Sequence, residues 1–445
     1  MKNTPLSTLK SQKKWTSDGT SRIQPVEKTL DKVNPMITEL GISRLADITD
    51  MDRLRIPNYS AVLPGTEDYI WVYSGKGPTK NHAKASAIME SIERYSALQR
   101  NYTSKLIQGS YEELSKSYNI LKYDEVIEPL SFSLDPKMTM DYCMGYDLLN
   151  NKDILVPASL AIFRFVPKPP SVNPYAFYHT NGLASGNVME EAICHALCEV
   201  IERDSTSIAE LVTSAFQFHI LKTMENSFIQ NGVKVKTIES KKFIDDNGIF
   251  PDVDLIDLTN EHIKDLLNRF NECQIGLNIK NITSNLEIPT FVASSVEWVN
   301  HDYGYLVEGH GTHPDSRIAL IRAITEVAQS RAANIQGSRD DLRKMKYDFE
   351  DSDDKRSWQF MKSTFNVKFS EIKSFYNEDI LDDIKLILRV FKEKGLAKSI
   401  VVNLTNPKFN IPVVRAIVPG LETFKINKSI IGDRAKESFK RCLSQ

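Results

Sequence analysis

The sequence predicts a layered fold that mixes helices and strands, of the α/β or α+β type. Two observations carry that expectation. Helical runs with apolar residues at i, i+3 and i+4 alternate with short β-branched and aromatic runs. Three times, the chain also passes from an extended run through a glycine-containing stretch into a helix. Composition agrees: of 445 residues, 41% are apolar and 26% charged, a globular balance that argues against wholesale disorder. At roughly 100–200 residues per domain, the length allows two to four structural units.

Residues 1–50 begin polar and basic, with no apolar segment of the kind a secretory signal carries. Pro25 and Gly41 bracket a helix from about Val26 to Leu40, and Pro35 inside it predicts a kink or a split. RIPNYSAVLP and YIWVYS read as strands, and a helix follows from about Asn81 to Gln99. Residues 102–180 read as short helical and extended pieces. Within them VPKPPSVNP is a loop or strap, because Pro167, Pro169, Pro170 and Pro174 cannot share a regular helix. A long helix is expected from about Asn187 to Thr213, and residues 215–280 alternate helices with strands such as VKVKTIES and CQIGLNIK. EIPTFVASSVEW reads as a buried strand and Pro314 to Asn334 as a helix. IKSFYNEDILDDIKLILRVFKEKG reads as a further helix, before strands KSIVVNL and IPVVRAIVP.

Charge and cysteines narrow the setting. The 56 Lys and Arg against 58 Asp and Glu leave a formal charge of −2, which removes the simplest case for non-specific nucleic-acid binding. Five scattered cysteines do not make a disulfide framework and fit a reducing compartment. No run approaches the roughly 18 apolar residues of a membrane span, so a cytoplasmic protein is expected.

The three strand–glycine–helix passages are YIWVYS–GKG–PTKNHAKASAIMESIERYSAL, YAFYHT–NGLASG–NVMEEAICHALCEVIERDS and YGYLVE–GHG–THPDSRIALIRAITEVAQSR. A small-residue loop lets backbone approach a ligand, and a helix N-terminus offers N–H groups to an anion. In the second helix Asn187, Glu191, His195, Glu199 and Glu202 fall on one stripe, while Ile193, Ala196, Leu197, Val200 and Ile201 form the face to be buried. Glu199 and Glu202 lie one turn apart, with Arg203 and Asp204 next. The first helix repeats the device with Ser86, Glu90, Glu93 and Arg94, and the third carries Arg322, Glu326 and Gln329, then Arg331. Carboxylates side by side stay ionised most easily when a cation neutralises them, and Mg²⁺ prefers such oxygen ligands together with phosphates. A single ExxER usually marks a solvated face with local ion pairs; two copies, each after a glycine stretch, weigh against that reading. Cys194, His195 and Cys198 tempt a zinc assignment, as do His310 and His313 in GHGTH. Small buried residues explain the cysteines better, and two loop histidines rarely suffice. No Walker A, HExxH, GxSxG or dinucleotide fingerprint is present.

Together these motifs resemble the YcaO family of ATP-dependent enzymes. The resemblance runs from about Lys13 to Glu422 and is carried by GKGPTKNHAKASAIMESIER (75–94), NGLASGNVMEEAICHALCEVIERD (181–204) and HPDSRIALIRAITEVAQSR (313–331), with PVVRAIVPGLE (412–422) in support. It implies a YcaO-type α+β fold that holds ATP and Mg²⁺ between helices. Residues 1–50 would be an N-terminal segment contributing to the ATP site, and residues 51–445 the catalytic domain. Members attack a peptide backbone amide with a nucleophile while ATP phosphorylates the amide oxygen, giving an azoline, a thioamide or an amidine. Carried onto this chain, Glu90, Glu93, Glu199 and Glu202 would be magnesium ligands, with Glu90, Glu199, Glu202 and Arg203 central to catalysis. Ser86, Asn187, Glu191, Arg203, Arg322 and Glu326 would contact nucleotide or metal, and Lys14, Lys76 and Ser185 would contact phosphate or base.

Azoline-forming members usually end in a proline-rich tail, and this sequence has no proline after Pro419. KKW…DGTSR…VEKTL and ISRLADITDMDRLRIPNYSAV look like the archaeal subgroup associated with TfuA proteins. That subgroup is similar to the enzyme that thioamidates a glycine in the alpha subunit of methyl-coenzyme M reductase, using sulfide. The resemblance thus implies that subunit as substrate, a TfuA-like partner, a sulfide source and a homodimer, with no nucleic acid or membrane. Modification of a small ribosomal peptide, to a thioamide or azoline, is the alternative. So is a non-catalytic ATP-binding scaffold.

Overall fold

The structure, a computed structural model, describes residues 8–15, 20–66, 69–102, 105–133, 135–176, 178–215, 226, 229–232, 250–300, 303–337, 358–427 and 429–443. Seven helices of eight residues or more are found among them: α1 (Val26–Val33), α2 (Lys80–Ser96), α3 (Met189–Glu210), α4 (Glu261–Glu272), α5 (Ser316–Gln336), α6 (Ile380–Glu393) and α7 (Asp433–Leu443).

The strands among the described residues build three sheets. The first holds β1 (Arg44–Asp47), β2 (Asn58–Thr66) and β3 (Tyr69–Lys76) in that order. The chain then contributes β4 (Ile107–Ser110), β5 (Thr139–Asp147), β6 (Lys152–Pro157) and β7 (Leu183–Ser185) to the second sheet. It continues with β8 (Asp252–Asp254), β9 (Gly276–Asn281), β10 (Thr290–Asn300), β11 (Tyr303–Thr312) and β12 (Asn366–Lys368) of the third, ordered β11-β10-β9-β8-β12. Finally β13 (Ile400–Asn403) and β14 (Val413–Ile417) return to the second sheet, whose order is β4-β5-β13-β14-β7 with β6 paired to β5. Among these pairings only β8 with β12 is parallel.

Each strand–glycine–helix passage belongs to a different sheet: α2 packs on β3 and β2, α3 on β14 and β7, and α5 on β11 and β10. The second sheet is covered on both faces, as the apolar runs of β13 (IVVN) and β14 (VVRAI) require. Along β13 and β14, Ile400, Val402, Val413 and Ile417 enter the core beneath α2, with Ile88 and Ile92. Val401, Val414 and Ala416 alternate to the core beneath α3, with Ile193, Leu197, Ile201 and the α6 residues Ile384 and Ile387. A third core sets Leu320, Ile324 and Val327 of α5 against Phe291, Ala293 and the α4 residues Ile263, Leu266 and Phe270.

Several expectations need correction. Of the glycines in these stretches, Gly77 does line the cavity described below, but Gly75 lies in β3, and Gly309 and Gly311 lie inside β11. Their hydrogen side chain lets the following helix lie directly on the strand. A Cβ at Gly75 would fall 2.0 Å from the Ala83 carbonyl oxygen, and one at Gly311 would fall 2.0 Å from that of Ala319. Gly311→Ala is therefore expected to destabilise the fold by about 3 kcal/mol, because helical backbone cannot step aside as a side chain can. A thermal melt checks this, and an unchanged midpoint would remove the argument.

The predicted helix at 372–395 begins only at Ile380, because Asp379 caps it through the Leu381 N–H and the preceding residues are extended. Within residues 102–180, read only as short helical and extended pieces, β5 and β6 form an antiparallel hairpin. VKVKTIES lies outside the described residues. As Pro35 requires, the first helix splits at a 3₁₀ turn over Asn34–Met36, and Gly41 ends it at φ +81°.

Candidate active site

The faces of α2, α3 and α5 turned away from their cores converge on one cavity of about 350 Å³. From α2 come Ser86, Glu90, Glu93 and Arg94. The stripe read from the sequence, Asn187, Glu191, His195, Glu199 and Glu202, arrives intact on and just before α3, together with Arg203. Arg322, Glu326 and Gln329 come from α5, Lys76 from the end of β3 and Ser185 from β7. Every site residue named from the sequence thus lines this cavity except Lys14.

The electrostatics of the acidic set are lopsided. Arg94 reaches Glu90 at 3.3 Å and Glu93 at 3.7 Å, and Arg203 stands 4.0 Å from Glu202. These partners do not compensate for burial. Burial pushes the Glu93 carboxyl up to about 8, against the opposing charge of Arg94 and with help from Glu90 and Glu199. Burial likewise raises Glu199 to about 7, with Glu202 adding to it and Arg203 and Arg94 opposing. Glu202 is raised for the same first reason. For all three carboxylates burial outweighs the positive charge nearby. Glu326 behaves in the opposite way: burial raises it, but its ion pair with Lys76 and the nearby His310 outweigh burial and hold it well below the usual carboxylate range. Buried, under-neutralised carboxylate oxygens from two facing helices fit a hard divalent cation of the Mg²⁺ type.

One wall comes from the chain's beginning, through Thr20, Ser21, Arg22, Gln24 and Thr29, to none of which the sequence assigns an individual site role. The Ile23 N–H donates to Glu191 Oε1 at 2.8 Å, and Arg22 approaches Glu191 at 3.5 Å. Gln24 Nε2 and Thr29 Oγ1 donate to Asn187 Oδ1 at 3.1 and 2.9 Å. Asn187 and Glu191 therefore hold this wall as well as facing the cavity. His195 was also passed over as a site residue, although it lies on the predicted stripe. Its Nδ1 has no hydrogen-bond partner among the described residues, and burial keeps the ring neutral by pulling its pKa well below the ordinary value.

Lys14 requires a correction. Its ammonium lies 2.5 Å from Asp383 Oδ2, both side chains being nearly inaccessible, and away from the cavity lining. The backbone dictates this: Lys14 N–H donates to the Glu378 carbonyl at 2.8 Å and Gln12 N–H to Asp379 at 2.9 Å, strapping the segment along the start of α6. Beside that pair, Cys194, His313 and Asp383 bring potential metal-ligand atoms within 4.8 Å of one another. His313 Nδ1 accepts the Asp315 N–H at 3.0 Å, so its proton sits on Nε2, and Asp383 is already engaged by the Lys14 ammonium. These groups form a buried polar clamp rather than a metal centre. Arg331, about 180° around α5 from Arg322, faces away from the cavity. It is buried in a double hydrogen bond to Asp52, at 2.7 and 2.9 Å, and a contact to Glu297 at 2.6 Å.

The cavity gathers carboxylates and arginines of the kind that suit a divalent cation and a polyanion, and comparison with known proteins gives the class its name. The chain belongs to the YcaO family: the family pattern described as YcaO cyclodehydratase, ATP- and Mg²⁺-binding, matches residues 74–422. It is 32% identical to an uncharacterized protein of Methanothermobacter thermautotrophicus over 94% of this chain and 98% of that one. It is 27% identical to an uncharacterized protein in the tfuA 3′ region of Rhizobium leguminosarum, over 94% of each. Among solved structures, YcaO from Methanopyrus kandleri bound with AMPPCP and Mg²⁺ shares the fold with a TM-score of 0.67 at 21% identity, over 95% of this chain and 98% of that one. A heterocyclase in complex with substrate and cofactor gives 0.74 at 21% identity; this chain, matched over 94%, spans 54% of its length. The chain is thus an ATP- and Mg²⁺-dependent YcaO-type enzyme, of a kind that works on peptide backbones. Among the described residues, no helix is long and apolar enough to cross a membrane.

Proposed function

We propose that this enzyme converts a peptide backbone amide into a thioamide, with sulfide as nucleophile and ATP as co-substrate, and that its target is the glycine of the methyl-coenzyme M reductase alpha subunit. The observation that carries the ATP-dependent step is the set of buried, under-neutralised carboxylates facing arginines in one cavity that, among the described residues, no cysteine lines. Such a site suits positioning and charge neutralisation rather than covalent catalysis by a thiol.

Glu90, Glu93, Glu199 and Glu202 would hold Mg²⁺, which when bound neutralises phosphate charge and fixes the polyphosphate. Arg94, Arg203 and Arg322, on the same cavity lining, would compensate charge on the transferring phosphoryl group. Lys76, held by its ion pair with Glu326, would reach phosphate, and Asn187 and Glu191 hold the N-terminal wall that would face the nucleotide. Sulfide adds to the amide carbon, forming the C–S bond, and the carbonyl oxygen takes the terminal phosphoryl group of ATP. Loss of phosphate breaks the C–O bond, and the S–H proton leaves as C=S forms. The net change is sulfur for oxygen, with ATP converted to ADP and phosphate.

The sulfide branch and a TfuA-like partner are supported by the methanogen relative and by the relative from the tfuA 3′ region. Azoline formation is the second reading, favoured by the family description and by the fold shared with a heterocyclase. ADP release by the purified protein separates the two. Thioamidation requires release to depend on both peptide and sulfide; release stimulated by a Cys- or Ser-bearing peptide without sulfide points to the azoline.

A further inference from the structure

The stretch after Glu422 was given no role by the sequence, yet it grips α3 from behind. At about 100° per residue, Asp204 lies roughly 140° to 180° around the helix from Glu199, Glu202 and His195, so it faces away from the cavity. It is fully buried and heavily engaged. Arg434 of α7 meets it in a fork, Nε to Oδ1 at 2.9 Å and Nη2 to Oδ2 at 2.7 Å, while Nη2 also donates to Asn285 Oδ1 at 2.8 Å. The Glu422 N–H adds a bond to Asp204 Oδ1 at 3.0 Å.

Arg434 is itself fixed. The Glu422 carboxylate accepts the Gly432 N–H at 2.8 Å and the Ala435 N–H at 2.9 Å, pinning the start of α7 on either side of it. Further along α3, Ser207 Oγ accepts the Lys425 N–H at 2.9 Å, and Lys425 Nζ reaches Glu308 at 2.7 Å and Glu210 at 3.5 Å. Ala435 and Phe439 close the contact against Ile208, Leu211 and Val212. A buried two-pronged arginine–carboxylate bond fixes orientation as well as distance. Asp204 is one residue from Arg203 and two from Glu202, so what fixes Asp204 fixes their rotation about the helix axis.

We propose that Arg434 is a positioning residue, which through Asp204 sets the rotation of α3 that presents Glu199, Glu202 and Arg203 to the metal and phosphates. Mg²⁺ demands this: near-octahedral geometry at short distances tolerates little displacement of its carboxylates. The inference rests on the assignment of Glu199 and Glu202 as metal ligands, but not on which peptide is modified.

The test is Mg²⁺ titration of the binding of a non-hydrolysable ATP analogue to the full chain, by calorimetry, with a thermal melt of each variant. Arg434→Gln is expected to raise the Mg²⁺ concentration for half-saturation about tenfold, as loss of an outer-shell partner does. Arg434→Lys, which keeps the charge but not the fork, should fall between Arg434→Gln and wild type, and it carries the test if the glutamine variant does not fold. Phe439→Ala loosens the same helix without touching Asp204, so it should lower the melting temperature and leave the Mg²⁺ requirement unchanged. Equal Mg²⁺ shifts in Phe439→Ala and the Arg434 variants, or none in either, overturn the proposal. If wild-type protein binds the analogue without any Mg²⁺ dependence, the metal-site reading itself fails along with it.

Discussion

Glutamine in place of Glu199 or of Glu202 is expected to lower Mg²⁺-dependent ATP turnover by at least about a hundredfold while leaving the fold intact. Both side chains lie on the cavity face of α3, opposite its apolar core, so the change removes a metal ligand without opening a void. Both carboxyls are held above their ordinary pKa by burial, so the charge itself strains the metal-free protein. A neutral amide of the same shape removes that strain, and the melting temperature without Mg²⁺ should hold or rise slightly. Kinetics and a melt on the same preparation check both halves. Full turnover in either variant would show that these residues do not bind the metal.

The second large effect is one of pH. Glu93 and Glu199 are pushed up to about 8 and about 7, mainly by burial, from a carboxyl value near 4.5. A folded-state pKa above the unfolded one means that the native protein holds the proton more tightly than the unfolded chain. The stability these groups contribute is therefore complete below about pH 4.5 and is lost as pH rises to about 8. A bound divalent cation supplies the missing positive charge, so stabilisation by Mg²⁺ and nucleotide should grow over that same interval. Below pH 8, binding should also release protons, seen in calorimetry as a heat that changes with the ionisation enthalpy of the buffer. A heat independent of buffer at pH 7 would mean that the carboxylates are already ionised and neutralised by the protein.

What the sequence revealed and what it hid divide along one line. The stripe from Asn187 to Glu202 was legible because helical period fixes which side chains share a face, and that face is the cavity wall. The same arithmetic placed Glu90, Glu93 and Arg94, and Arg322, Glu326 and Gln329. It put Arg331 on the far face of that helix but could not name its partner, Asp52, 279 residues away in sequence. Nor could it send Lys14 to Asp383, since that contact depends on a backbone strap against α6. The glycines were read for their flexibility, whereas Gly75 and Gly311 are needed for lack of a side chain, under helices whose distance from the strand no local pattern reports. Thr20, Arg22 and Gln24 carried no periodic signal at all and became part of the site only because Asn187 and Glu191 hold them there.

The central claim is that the carboxylate-lined cavity serves to exchange an amide oxygen for sulfur. The most direct measurement is high-resolution mass spectrometry of a peptide spanning the reductase glycine, after incubation with the protein, ATP, Mg²⁺ and sulfide, with and without a TfuA-like partner. The account predicts a product heavier by the difference between sulfur and oxygen, absent when ATP or sulfide is withheld. Unchanged peptide, with and without the partner, while ATP is turned over on a different peptide that loses water, would contradict it.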